Sequence, residues 1–206
     1  VGLGASYDTN NNDDFTADTL DTGIWTFEDS LGGDSYDTTT TADHLQVNVA
    51  SGTTHDCWQS TTTCVRMTRN VSNTDMVLQT KIDGTNLTTD IQNYGIWVEQ
   101  DLDDWIRFEF TRNGATYMVV HKDVAGTGTA NIIQNAYTMT ASNYMRVTRT
   151  GDSWTVDTSS DGSSWTTQGT FTLALSVAKV GVHAGNAAGS NPAVTGKFDY
   201  FYHTQT

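Results

Sequence analysis

The feature that most restricts this chain is its alternation. From residue 24 to residue 203, apolar and polar residues exchange places at every second position in segments rich in Val, Ile, Thr and aromatics, divided by Gly, Asn, Asp and Ser. Side chains repeating with period two lie on opposite faces of a strand, and no segment carries the 3.6-residue spacing of an amphipathic helix. The chain therefore reads as all-β, with strands over 24–28, 44–49, 65–69, 75–83, 94–100, 104–112, 116–122, 131–134, 143–149, 153–158, 164–171, 177–183 and 196–203. About thirteen strands exceed what one twisted open sheet holds, so two antiparallel sheets stacked as a β-sandwich are expected. The only proline, Pro192, leaves nearly every backbone donor free for sheet pairing.

Turn chemistry sets the neighbours. Asn113-Gly114 and Asp161-Gly162 reach positive φ easily, so 104–112 should pair with 116–122 and 153–158 with 164–171. For the stretch YGIWVEQDLDDWIRFEFTR at 94–112, a three-residue loop at 101–103 places Trp97 opposite Arg107, Glu99 opposite Trp105 and Gly95 opposite Glu109 on one face. Ile96, Val98, Ile106, Phe108 and Phe110 then share the other face as core. The first face gathers two indoles, two carboxylates and a guanidinium, either as a binding row or as charge pairs on a wet surface.

Composition narrows the partners. With 24 acidic and 10 basic residues, a formal charge of −14 and no Lys/Arg cluster, the surface repels phosphate backbones and anionic headgroups, so no nucleic acid is expected. No apolar run approaches the ~20 residues of a membrane helix, so no membrane insertion is expected either. The start VGLGAS reads as a mature or trimmed terminus, residues 1–12 as an extension and 13–206 as a single sandwich domain. A Thr/Asn-rich, Lys-poor chain suits a secreted, extracellular protein, where Cys57 and Cys64 would form a disulfide, free thiols being the alternative.

Six blocks then carry a resemblance: NDDFTADTLDTGIWTF at 12–27, GTTHDCW at 52–58, GIWVEQDLDDWIRFEF at 95–110, YMRVTRTGDSWTVDTSSDGSSWT at 144–166, VGVHAGN at 180–186 and GKFDYFYH at 196–203. In this order they resemble the concanavalin A-like sandwiches of the lectin/glucanase superfamily. They look closest to accessory domains similar to the C-terminal domain of family 43 β-xylosidases. The resemblance implies a jelly roll whose concave face holds a polysaccharide or oligosaccharide, often within a larger multidomain secreted protein. On that face would stand Trp97, Glu99, Arg107 and Glu109, joined by Arg66, by His55, Asp56 and Trp58 from the second block, and by His183 and Asn186 from the fifth. Indole faces stack on pyranose C–H faces, and charged groups make strict hydrogen bonds to hydroxyls. Trp25, Trp154 and Trp165 are expected in packing roles, and His44, His121 and His203 in structural ones. The resemblance also implies a structural Ca2+ at Asp14, Asp43 and Asp199.

Catalysis has weaker support. The related laminarinases and lichenases use Glu-x-Asp-x-x-Glu along one strand, whereas this chain has Glu99-Gln-Asp101-Leu-Asp-Asp104, with its last three acids in or beside a turn. Glu99 and Glu109 share a face, but the register offsets them by about 13 Å of strand rise, beyond the ~5.5 Å of a retaining pair and the ~6.5–9.5 Å of an inverting one. Were the chain an enzyme, Glu99, Glu109 and His55 would be the candidates, acting in a hydrolase or a lyase. The reading is a noncatalytic carbohydrate-binding domain; the alternatives are a secreted glycoside hydrolase or polysaccharide lyase, and a structural adhesin or surface-layer subunit.

Overall fold

A computed structural model describes residues 12–56, 58, 63, 65–84, 87–127, 131–187, 189 and 191–205. Fourteen strands occur among them: β1 (Thr26–Glu28), β2 (Ser35–Asp37), β3 (Leu45–Val49), β4 (Val65–Asn70), β5 (Met76–Asp83), β6 (Asn93–Glu99), β7 (Trp105–Asn113), β8 (Ala115–Asp123), β9 (Ile133–Ala136), β10 (Ser142–Thr150), β11 (Ser153–Ser159), β12 (Thr166–Thr172), β13 (Lys179–Gly185) and β14 (Val194–Gln205). They form two seven-stranded antiparallel sheets, ordered β1-β4-β13-β6-β7-β8-β9 and β12-β11-β10-β5-β14-β3-β2. The architecture is the expected two-sheet β-sandwich. Among the described residues no helix is long and apolar enough to cross a membrane.

The core lies where the alternation put it. Ile96, Val98, Ile106, Phe108 and Phe110 of the first sheet join Leu45, Val47, Leu78, Ile82, Met145, Val147, Trp154 and Phe198 of the second in one buried cluster. Each such large side chain contributes on the order of 1.5–3 kcal/mol through burial. Trp25 is also fully covered, its indole N–H donating to the Asp13 carboxylate at 2.8 Å. Trp165 packs beneath the Arg146 guanidinium, 4.2 Å away. The chain closes on itself where Asp13 and Phe201 exchange backbone hydrogen bonds of 3.0 and 2.8 Å.

The opening hairpin has the expected register, with Trp97 opposite Arg107, Glu99 opposite Trp105 and Gly95 opposite Glu109. At the next turn Asn113 pairs with Ala115, leaving Gly114 alone at the tip with φ of 70°. β11 and β12 pair as Asp161-Gly162 requires, and the Asp161 carboxylate accepts the Ser163 and Ser164 amides at 2.8 and 2.7 Å.

Differences fall at the two edge strands β2 and β9 and in the bounds of the interior strand β13. β2 was not expected: Ser35 and Tyr36 are exposed, so this edge strand has no apolar alternation to read. β9 lies two residues beyond its expected start at 131, and β13 runs to Gly185. Most of the expected extension at 1–12, and the expected Cys57–Cys64 disulfide, lie outside the described residues.

Candidate functional site

Cross-strand register aligns the outer face of the first sheet into rows. One runs Glu28, Arg66, His183, Gly95, Glu109, Val119, Gln134, from β1 to β9. The next runs Thr68, Gly181, Trp97, Arg107, His121, and a third runs Asn70, Lys179, Glu99, Trp105, Asp123. The predicted row therefore shares one face, and Arg66 and His183 belong to it.

That face is not open. Trp97 is 0% exposed, stacked on Trp105 at 4.8 Å between ring centroids, with the His183 ring edge-on at 5.7 Å. No face of Trp97 is free for a sugar, which corrects the stacking role expected for it. Glu99 is buried as well: it accepts the Trp97 indole N–H at 3.0 Å and the Arg66 Nε at 3.2 Å, and pairs with Lys179 at 3.3 Å. Arg66 also donates to Glu28. In this half of the row Glu99 and Arg66 are buried in an ion-pair network whose outer members, Glu28 and Lys179, are partly exposed.

The other half is open at the top. The connection between β3 and β4 folds over β7 and β8, where Asp56 accepts Arg107 Nη1 at 2.8 Å and the Trp58 carbonyl accepts His121 Nε2 at 3.2 Å. Trp58 stacks on the His121 ring at 4.4 Å and 18°, yet remains 45% exposed. One indole face is therefore held against the protein while part of the ring stays in solvent.

Below Trp58 lies a cleft of about 260 Å3 lined by Asp56, Trp58, Ile91, Asn93, Arg107, Glu109, Thr111, Asn113, Tyr117, Val119, Asn131 and Gln134. Of the sequence-predicted residues it gathers Asp56, Trp58, Arg107 and Glu109. His183 lies beneath, its Nε2 at 3.7 Å from Glu109 Oε2. His55 and Asn186 are buried behind the connection, where Asn186 accepts the His55 amide at 3.0 Å and donates to the carbonyls of Ala50 and Pro192, so Asn186 braces the loop and is not a rim residue. Asn93, Thr111, Asn113, Tyr117, Asn131 and Gln134 escaped the sequence reading. Thr111 and Asn113 merely continue the alternate positions of β7 that begin at Trp105, so extending the period along the strand finds them. Ile91 sits at the rim with φ of 62°, an uncommon conformation for a β-branched residue.

The floor of the cleft is short of hydrogen bonds. Arg107 Nε, Glu109 Oε2 and both His183 nitrogens are buried without a hydrogen-bond partner, although Arg107 Nε and Glu109 Oε2 lie 3.3 Å apart as an ion pair. Burial pushes the Glu109 carboxyl up, the Arg107 guanidinium pulls it back only part of the way, and Asp56 adds a further upward push, leaving it at about 7. Burial and the Arg107 charge hold His183 well below its ordinary range, so its ring is neutral at pH 7. Burial likewise holds His121 at about 4.

The Glu109 shift makes a sign-definite prediction. Its folded value lies above the ordinary 4.5, so its contribution to stability is full below 4.5 and is lost as pH rises through about 7. Glu109→Gln should match the wild type at acid pH and exceed it above neutrality by up to about 3 kcal/mol, measured by urea unfolding across pH. A variant with the same pH profile as the wild type would mean that Glu109 titrates normally.

The other predicted sites do not converge here. Asp14 accepts the Thr16 hydroxyl at 2.8 Å, Asp43 is exposed with φ of 59°, and Asp199 pairs with Lys81 at 2.7 Å. Among the described residues these three acids form no group with ligand atoms within 4.8 Å; Asp29, Asp34 and His55 do. Asp101 caps the β6–β7 turn through the Asp103 and Asp104 amides, so the near-miss glucanase motif is turn chemistry.

No protein-family model and no curated protein matches the chain in sequence. Solved structures do match in shape. The GH43 BlXynB protein from Bacillus licheniformis superposes with a TM-score of 0.79 at 16% identity, over 98% of this chain and 40% of that one. A xylan beta-1,4-xylosidase from Bacillus halodurans gives a TM-score of 0.75 at 13% identity, over 100% and 41%. A functionally unknown protein from Saccharomyces cerevisiae gives 0.64 at 16% identity, over 88% of this chain and 95% of its own. The chain thus spans about two fifths of the GH43 chains and nearly all of the yeast one. At these identities the likeness is one of fold: the chain carries a two-sheet antiparallel β-sandwich that superposes on part of these GH43 chains.

Proposed function

We propose that this chain is a carbohydrate-binding domain that takes one or two sugar rings of a neutral polysaccharide in the cleft beneath Trp58, without cleaving them. The observation that carries this reading is the half-exposed Trp58 indole above a cleft whose lining includes the charged groups of Asp56, Arg107 and Glu109. An indole offers a stacking face to pyranose C–H groups, and the three charged groups offer strict acceptors and donors to its hydroxyls. The cleft, at about 260 Å3, is smaller than the roughly 300–1,000 Å3 of sites for drug-sized ligands, which suits a short stretch of a chain whose remainder lies outside. The GH43 likeness supports a carbohydrate setting and, because the chain spans only part of those proteins, a place within a larger secreted one.

A second reading, hydrolysis or elimination in the same cleft, is favoured by one observation: a buried carboxyl near 7 is tuned as a general acid. Against it, Glu99 is locked in the Arg66–Lys179 network, and Glu109 has only Asp56, bridged to it by Arg107, as a carboxylate neighbour in the cleft.

Retention of the full chain on insoluble xylan, mannan and β-glucans tests the proposal. Trp58→Ala should reduce retention on the preferred polymer about tenfold while leaving the chain folded, with only the stacking on His121 lost from its stability. Equal retention would remove the cleft from consideration. Reducing ends or unsaturated uronates accumulating with time would establish the enzyme.

A further inference from the structure

His55 stands one residue before Asp56 but does not line the cleft. It is 1% exposed at the side chain, and its Nδ1 lies 3.1 Å from the Thr53 carbonyl. A carbonyl only accepts, so Nδ1 carries the ring proton and, in the neutral ring, Nε2 is left with a lone pair. That lone pair faces Asp34 Oδ2 at 2.9 Å, on a side chain that is 0% exposed, and neither atom makes a hydrogen bond. The two atoms form a buried pair that either a proton on Nε2 or a cation bound by both would satisfy. Asp29 supplies a third ligand atom, all three lying within 4.8 Å of one another.

We propose that Asp29, Asp34 and His55 form a binding site for one divalent cation of intermediate softness, of which Zn2+ is the type. The surroundings are those of ligands already aimed. Asp34 Oδ1 accepts the Ala50 amide at 2.7 Å, turning Oδ2 toward His55. Asp29 is oriented by the amides of Gly32 at 2.8 Å and Asp34 at 3.1 Å. A ligating imidazole whose other nitrogen donates to a backbone carbonyl is the usual arrangement around a metal-bound histidine. One nitrogen and two carboxylates make a three-ligand set with a fourth position for water, as zinc accepts. Ca2+ and Mg2+ prefer a shell made of oxygens alone, which the imidazole denies them. The ion would tie the connection between β1 and β2 to the loop that carries Asp56 and Trp58, adding to the β2–β3 pairing beside it and to the Ala50 amide on Asp34.

The test uses the full chain, stripped with chelator and dialysed, titrated separately with Zn2+ and Ca2+ and analysed for bound metal by mass spectrometry. About one Zn2+ per chain is expected, with a Tm raised by several degrees in excess Zn2+ and little response to Ca2+. Asp29→Asn, at a partly solvated position, should keep the fold and lose the zinc; His55→Gln should lose it also. Cys57→Ser and Cys64→Ser should retain it. No uptake, uptake unchanged in Asp29→Asn, or uptake lost with the cysteines would each overturn the assignment. None of these readouts involves a sugar, so the outcome stands apart from that of glycan retention.

Discussion

Arg107→Ala is expected to destabilise the fold by about 3–5 kcal/mol near neutral pH, the range seen when one member of a buried ion pair is removed. Arg107 is 4% exposed and is the cationic partner of both Asp56, at 2.8 Å, and Glu109, at 3.3 Å. Without it Glu109 is a buried carboxylate with no compensating charge among its described ion-pair partners except His183, which burial and Arg107 itself keep neutral. Without the Arg107 charge the Glu109 carboxyl takes up its proton at a higher pH than in the wild type, so its share of the loss should be largest in alkaline solution and shrink as pH falls toward about 7, and Arg107→Ala combined with Glu109→Gln should recover much of it. Denaturant titrations of the two single variants and the double variant close the cycle. A loss under about 1 kcal/mol in Arg107→Ala would mean that water already penetrates the floor of the cleft.

The second large effect belongs to Gly95. It lies on the same outer face, between His183 and Glu109 in the cross-strand row. A Cβ added there would sit 1.9 Å from the Phe108 carbonyl oxygen and 2.7 Å from the Glu109 Cα. Those are backbone atoms of the paired strand and cannot swing aside, so β6 and β7 would have to part where Ile96 and Phe108 enter the core. Gly95→Ala should therefore lose at least about 3 kcal/mol, at the upper end of overpacking effects, or fail to fold. Gly181 should behave alike, its added Cβ lying 2.0 Å from the Met67 carbonyl oxygen. A Gly95→Ala protein that melts with the wild type would show that the two strands can separate at little expense.

A milder expectation concerns acid. Burial holds His121 and His203 at about 4, below the ordinary 6.5, so the unfolded chain takes up protons first. Their contribution to stability is full above 6.5 and is lost as pH falls toward 4. In a Glu109→Gln background, which removes the opposing gain from Glu109, Tm should decline over that window, and flat values there would contradict the burial of these rings.

Much of the fold was legible because its causes are local. Period-two alternation decided which of Trp97 and Ile96 faces the core, and Asp161-Gly162 and the loop at 101–103 decided who pairs with whom. The edge strands β2 and β12 bury too little on either face for alternation to mark their limits, and β2 was missed outright. The candidate site was half legible. Asp56, Trp58, Arg107 and Glu109 meet in one cleft, but Trp97 and Trp58 are indistinguishable as letters, and only the packed structure shows the first covered and the second half exposed.

What the sequence by itself determined is the two-sided chemistry of each strand and the register of its hairpins, since both follow from backbone geometry and from residues a few positions apart. Tertiary structure alone decided which polar outer-face groups meet solvent. That depends on a connection between β3 and β4 docking on strands some fifty residues later, with Asp56 on Arg107 and Trp58 on His121. It also depends on Asp29, Asp34 and His55 being drawn together from separate connections. Burial of charge is a property of surfaces brought into contact, and no period along a chain encodes it.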